Sequence, residues 1–268
     1  MTRRSSADTA FTLVEMLVAF AVGALVLVSL VAIVSQSMSV SSRTNAKLLA
    51  NNSAAVAVDL VANDLESLAV TRRPFEYLQT VQEPVGPLSN VTRLLMLSAG
   101  GTDATTNVDV GQVRAISYRV LDQDPVNSGG SSPIIGLYRT VVSSTNTFEE
   151  FIGSTNLDTA FSSASVALED FVAGNIVDFQ VRLFPDGHRP ALNEVSGVVQ
   201  PIRLGGTGVL VSGSTNTNIV SWAEVSVTVL EDREDAVRRL RAGSLTLEDA
   251  VERYGFRLSR RVAIRAPN

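Results

Sequence analysis

At 268 residues the chain is long enough for one ordinary domain with a real core plus a tail or anchor, and cramped for two full-sized domains. Hydrophobic residues make up 45% and charged residues 18%, with a formal charge of -5 and no basic patch, which excludes a disordered chain and a nucleic-acid binder. There is no cysteine and a single histidine, His188, so disulfide frameworks, thiolate chemistry and multi-histidine metal sites are excluded as well.

The first ten residues, MTRRSSADTA, are polar and carry Arg3 and Arg4. From Leu13 to Val34 the sequence is apolar, broken by one charge, Glu15, and by no proline. At about 1.5 Å per residue, a helix of this length crosses the roughly 30 Å hydrocarbon core of a bilayer. Arg3 and Arg4 favour a cytoplasmic N-terminus, while Arg43 and Lys47 on the far side weaken that charge asymmetry.

Three readings compete for this segment. A secretory signal peptide has a shorter apolar stretch and a small-x-small cleavage site, which Ser35-Gln36-Ser37 only mimics. A plain single-pass anchor accounts for the length but not for an acidic residue near the start of the span, where burial of charge is costly. The third reading rests on nine residues, Ala10-Phe11-Thr12-Leu13-Val14-Glu15-Met16-Leu17-Val18. They resemble the type III signal of prepilins and pseudopilins.

That resemblance implies that a prepilin peptidase cuts between Ala10 and Phe11 and methylates the new amine of Phe11. The family usually has glycine before the cut; Ala10 is a tolerated small residue. It further implies that Glu15 pairs with the N-terminal amine of a neighbouring subunit. Such pairing has a physical basis, because opposite charges in a poorly solvated helix bundle relieve each other's burial cost. The implied partners are other pilin or pseudopilin subunits, the prepilin peptidase and membrane lipid, with no nucleic acid, no cofactor and no catalytic role. The implied location is a bacterial inner membrane, with the globular part on the extracytoplasmic side.

No proline occurs from Phe11 through Arg73, so one helix is expected to run through the membrane and on to Pro74. Beyond the span, Ala54, Val58, Val61, Leu65 and Leu68 recur at helical spacing, with Asp59, Asn63 and Glu66 on the opposite side. This stripe is read as core packing. After Pro74 the signals turn to strands: Leu94 to Leu97, Val113 to Val120, Ile176 to Phe184 ahead of a Pro185-Asp186-Gly187 turn, and Val225, Val227 and Val229 alternating with Glu224, Ser226 and Thr228. Polar stretches such as 127–132 and 205–218 read as loops. The order of Tyr118-Arg119-Val120, Leu137-Tyr138-Arg139, Val177-Asp178-Phe179 and the Trp222 to Leu230 strand resembles pseudopilin J and the PilW-type minor pilins.

In the tail, Glu231 to Arg241 is acidic first and basic last, as a helix dipole favours. Thr246 is a candidate N-cap, with Asp249 three residues on and Gly255 past the end. Phe256 to Arg265 reads as a late edge strand guarded by arginines, ahead of the alternative of a contact surface for an acidic partner subunit.

The expected fold class is α+β: a long N-terminal helix, half transmembrane and half amphipathic, packed on an antiparallel β-sheet domain, as in pilins. The expected parts are a leader at 1–10, a transmembrane helix at 11–35, its amphipathic continuation at 36–73, a β-rich domain at 74–230 and a tail at 231–268. Signals for chemistry are weak. His188 lies in a turn without a serine nucleophile motif, and the 205–208 glycines lack the context of a nucleotide loop. Asp122, Asp124 and Asn127 miss the later ligands of a calcium loop. Two function classes follow: a filament subunit of the secretion pseudopilus or type IV pilus kind, or a membrane-tethered enzymatic or ligand-binding domain.

Overall fold

The computed structural model describes residues 12–71, 73, 75–99, 113–126, 133–163, 170–185, 191–196, 198–206, 208–211, 214–216, 220–231 and 235–264. The chain divides into two units, residues up to Asn45 and residues from Ala46 onward. A single helix, α1, Leu13–Glu66, supplies the first unit's regular structure and the start of the second.

In the second unit α1 buries Ala50, Ala54, Ala57, Val58, Val61, Ala62 and Leu65. The predicted stripe is therefore the packed face, while Asp59, Asn63 and Glu66 stay exposed. Four of those buried residues are alanines, which let a helix lie close to a sheet. The helix stops at Glu66, well before Pro74, the residue expected to end it. The reason is tertiary: Ala69 donates to the Leu97 carbonyl at 2.8 Å, Ala99 donates to that of Ser67 at 2.7 Å, and Leu68 bridges Ser98. Backbone groups that would extend the helix are satisfied by a strand instead.

The larger sheet is antiparallel throughout its described pairings and has the order β11-β10-β9-β1-β2-β3-β4-β5. Its strands begin with β1, Glu76–Val85, and β2, Leu88–Ser98, joined through Gly86, whose φ of 52° suits a residue without Cβ. Pro84 sits where the β1–β2 register shifts, a position that tolerates a missing N–H. Next come β3, Arg114–Gln123, and β4, Ile134–Val141. A cover of α2, Ser144–Asn146, a π-helical turn, Thr147–Phe151, and α3, Leu157–Ser163, leads to β5, Asp170–Gly174. Then β6, Ile176–Pro185, and the small hairpin β7, Glu194–Val195, with β8, Val198–Val199, precede β9, Ile202–Gly205, β10, Gly208–Val211, and β11, Ser214–Asn216.

These last three strands correct the reading of 205–218 as loop. β9 pairs with β1, and the buried Ile202, Leu204 and Val209 explain why pairing wins over a glycine-rich composition. The chain closes with β12, Val220–Leu230, α4, Ala236–Arg241, α5, Leu247–Tyr254, and β13, Gly255–Ala263. A second antiparallel sheet has the order β13-β12-β6.

One core joins α1 to both sheets, through Leu78, Leu94, Met96, Ile116, Leu137, Phe179, Val181, Val225 and Val227 among others. The opposite face of the larger sheet carries Leu95, Leu97 and Ala115 under Phe151, Leu157 and Phe161. Because β2 is covered on both faces, Leu94 to Leu97 reads as a continuous apolar run rather than an alternation. The fold class is as expected, a long N-terminal helix packed on an antiparallel sheet domain, α+β.

Candidate functional site

The apolar half of α1 is where the sequence signal points. Thr12 to Asn45 are all exposed, including Leu13 at 80%, Phe20 at 74% and Leu25 at 70%. So large an apolar surface needs a non-aqueous partner. By length and composition this helix can cross a membrane. Within it Ser29 Oγ donates to the Leu25 carbonyl at 2.9 Å, which gives a hydroxyl in an apolar surface its partner.

At the start of the helix Thr12 and Glu15 form a capping box. Glu15 Oε2 accepts from the Thr12 N–H and hydroxyl, each at 3.0 Å, and the Glu15 N–H donates to Thr12 Oγ1 at 3.3 Å. This role was legible in the Thr-Leu-Val-Glu spacing and was missed in favour of the charge argument. Glu15 is exposed, and its Oε1 takes no hydrogen bond among the described residues. Ala10 and Phe11, the expected cleavage and methylation positions, lie outside the described residues, as does His188.

The globular part holds a buried ionic cluster that the sequence did not announce. Asp64 of α1 accepts from the Tyr118 hydroxyl at 2.5 Å and from Arg139 Nε and Nη2 at 2.9 and 3.2 Å. Arg139 also lies 5.9 Å from the Tyr118 ring centroid. Burial pushes the Tyr118 hydroxyl well above its ordinary range, and the Asp64 charge adds to that. The cluster fixes the helix to β3 and β4 by a charge that cannot be left alone.

At the surface Arg260 of β13 reaches back to α1, 2.8 Å from Asp59 and 3.2 Å from Glu66. Arg261 pairs with Glu224 at 2.9 Å and stacks 5.1 Å from the Phe184 centroid. Arg257 donates to Ser226 Oγ at 3.2 Å. All three arginines are engaged within the chain, and β13 is an edge strand of its sheet, as expected. In the tail, Thr246 Oγ1 accepts from the Asp249 N–H at 3.1 Å, the expected cap, and Gly255 follows the helix.

Asp122, considered for calcium, is held by Arg241 at 2.5 and 3.0 Å, and Asp124 accepts from the Val126 N–H at 3.0 Å. Asn127 lies outside the described residues. Among the described residues no three acidic, histidine or cysteine side chains gather where a metal ion could be held.

Residues 6–31 match the family model described as the prokaryotic N-terminal methylation motif. The chain carries a prepilin-type methylation motif. It takes in the capped start of α1 and runs on through its exposed apolar half to residue 31. Among solved structures, a type IV-like pilin from Thermus thermophilus aligns at 13% identity and a TM-score of 0.37, over 76% of this chain and 91% of that one. No curated relative matches the sequence. The prepilin-type motif points to a structural subunit and, with the apolar helix, to membrane anchoring.

Proposed function

We propose that the chain is the precursor of a minor pilin or pseudopilin, cut before Phe11 by a prepilin peptidase and methylated on the new amine. The mature subunit is held in the inner membrane by the apolar half of α1, with the globular domain outside the cytoplasm. From there it joins a type II secretion pseudopilus or a type IV pilus-like filament, as a subunit of the pseudopilin J or PilW kind. The observation that carries this reading is the coincidence of the methylation motif with a helix whose first turn holds one exposed carboxylate in an otherwise apolar, exposed surface.

Glu15 supplies the assembly chemistry. Its Oε2 is spent on Thr12, which fixes the side chain against the first turn, and Oε1 remains to accept from the amine of a neighbouring subunit. In a lipid-solvated bundle that pairing removes two unmatched charges at once. A neighbour lacking the methylation cut would present Arg3, Arg4 and Asp8 there instead of the amine of Phe11, so processing precedes assembly.

The test compares incorporation of wild type and Glu15→Ala into filaments or a crosslinked subunit complex, with membrane levels matched. The variant is expected to insert and be cleaved but to fail at incorporation. Equal incorporation of the two proteins would remove the paired-charge mechanism.

A further inference from the structure

The three-stranded sheet has an apolar face on α1 and a polar face built in rows. Across β6, β12 and β13 the rows read Arg182, Glu224, Arg261, then Gln180, Ser226, Ser259, then Asp178, Thr228, Arg257. The first row is closed by its own ion pairs, with Glu224 3.6 Å from Arg182 and 2.9 Å from Arg261. In the second, the Gln180 amide donates to Asp178 at 3.1 Å and accepts from Arg182 at 2.8 Å. The third row is different. It floors a cleft of about 520 Å³ between the sheet, the start of β2 and α5.

Ser89, Asn90 and Arg257 bring donors to that cleft, and several of its oxygens still have acceptor capacity left. Among the described residues Asp178 accepts one hydrogen bond, from Gln180. Thr228 is 3% exposed, yet its hydroxyl has no partner among the described residues and opens on the cleft. Glu248, at the rim on α5, makes no ion pair or hydrogen bond among the described residues. Arg257, across Thr228 from Asp178, is directed at Ser226 Oγ. Burial pushes the Asp178 carboxyl above the usual carboxylate range, against the opposing pull of Gln180, Arg257 and Arg182. Leu88, Leu247 and Val251 form an apolar wall beside these groups.

The geometry points to a binding site for an alkylammonium group, seated on Asp178, Thr228 and Glu248 with its carbon stem along the Leu88, Leu247 and Val251 wall. An ammonium carries three donors and no acceptor, which matches three oxygen acceptors of net negative charge. An aliphatic stem behind the charge uses the apolar wall as lysine stems do. A free amine and a lysine side chain share this chemistry.

The test is a chemical-shift titration of the full chain in dodecyl maltoside micelles, reading the amides of Asp178, Thr228 and Glu248. The probes are n-pentylammonium, Nα-acetyl-lysine methylamide and the latter's Nε-acetylated form. Both ammonium probes are expected to shift these amides saturably, and the Nε-acetylated probe is not. Asp178→Asn removes a charge that burial opposes, so it leaves the fold intact and is expected to weaken binding about tenfold or more. Glu248→Gln, at an exposed rim position, carries the same test with a smaller loss. Tighter binding of the lysine derivative identifies a protein side chain as the occupant, and equal affinity identifies a free amine. No saturable shift, equal binding of the Nε-acetylated probe, or undiminished binding by both variants would overturn the site.

Discussion

The two halves of α1 are one continuous helix written for two solvents. Up to Asn45 every described residue is exposed and half are large and apolar: Leu, Val, Phe, Ile and Met. From Ala50 to Leu65 the buried face is mainly alanine and valine, and a carboxylate, Asp64, is buried with its partners in place. Lipid asks for bulk and tolerates no unmatched polar group, whereas a sheet asks for a close approach and accepts a charge if it is fully matched. The same secondary structure therefore carries opposite rules for what a substitution costs.

The largest expected effect lies at Asp64. Replacing it with alanine leaves the Arg139 guanidinium and the Tyr118 hydroxyl buried without their shared acceptor, a loss of about 3 to 5 kcal/mol. Denaturant unfolding of the chain in micelles measures it, and a loss below about 1 kcal/mol, the worth of an exposed pair, would mean the cluster is solvated after all. The tyrosine sharpens the point through pH. Its folded-state ionisation is pushed upward, so the stability it contributes is complete below its ordinary value of about 10 and drains away as pH rises beyond that. Tyr118→Phe is expected to flatten the alkaline fall in stability.

Next in size is a direct trade between the two halves. Ala57 is fully buried, and Ala57→Leu is expected to cost about 1 to 3 kcal/mol by overpacking. Ala24→Leu, in the exposed apolar half, is expected to leave the unfolding midpoint of the globular domain unchanged. Equal effects from the two substitutions would erase the distinction between the exposed apolar half and the sheet-facing half.

The smallest effect is at the surface. Arg260 bridges β13 to Asp59 and Glu66 but is 40% exposed, so Arg260→Ala is expected to cost under about 1 kcal/mol at low salt and less at high salt. A salt-independent loss would show that its stem, rather than its charge, holds the edge strand.

The helical stripe of Ala54, Val58, Val61, Leu65 and Leu68 was legible because a 3.6-residue period survives in sequence whatever the partner is. The Thr246 cap was legible for the same local reason, as was the alternation of Val225, Val227 and Val229. The Asp64 cluster was not, since Asp64 stands beside Asn63 like any surface acid and its partners lie 54 and 75 residues away. The strands β9 to β11 hid behind glycine, serine and threonine because their stability comes from the edge of β1 rather than from their own composition. At the N-terminus the nine-residue signal carries the proposed processing positions, and the capping role of Glu15 is legible in Thr12 three residues ahead of it.

The central claim is that this chain is processed as a prepilin, and the intact mass and N-terminal sequence of the membrane-bound protein test it most directly. In cells with an active prepilin peptidase the account predicts a chain that begins at methylated Phe11, with the formal charge moved from -5 to -6 by loss of Arg3, Arg4 and Asp8. A membrane-bound protein that still begins at Met1 in those cells would contradict it.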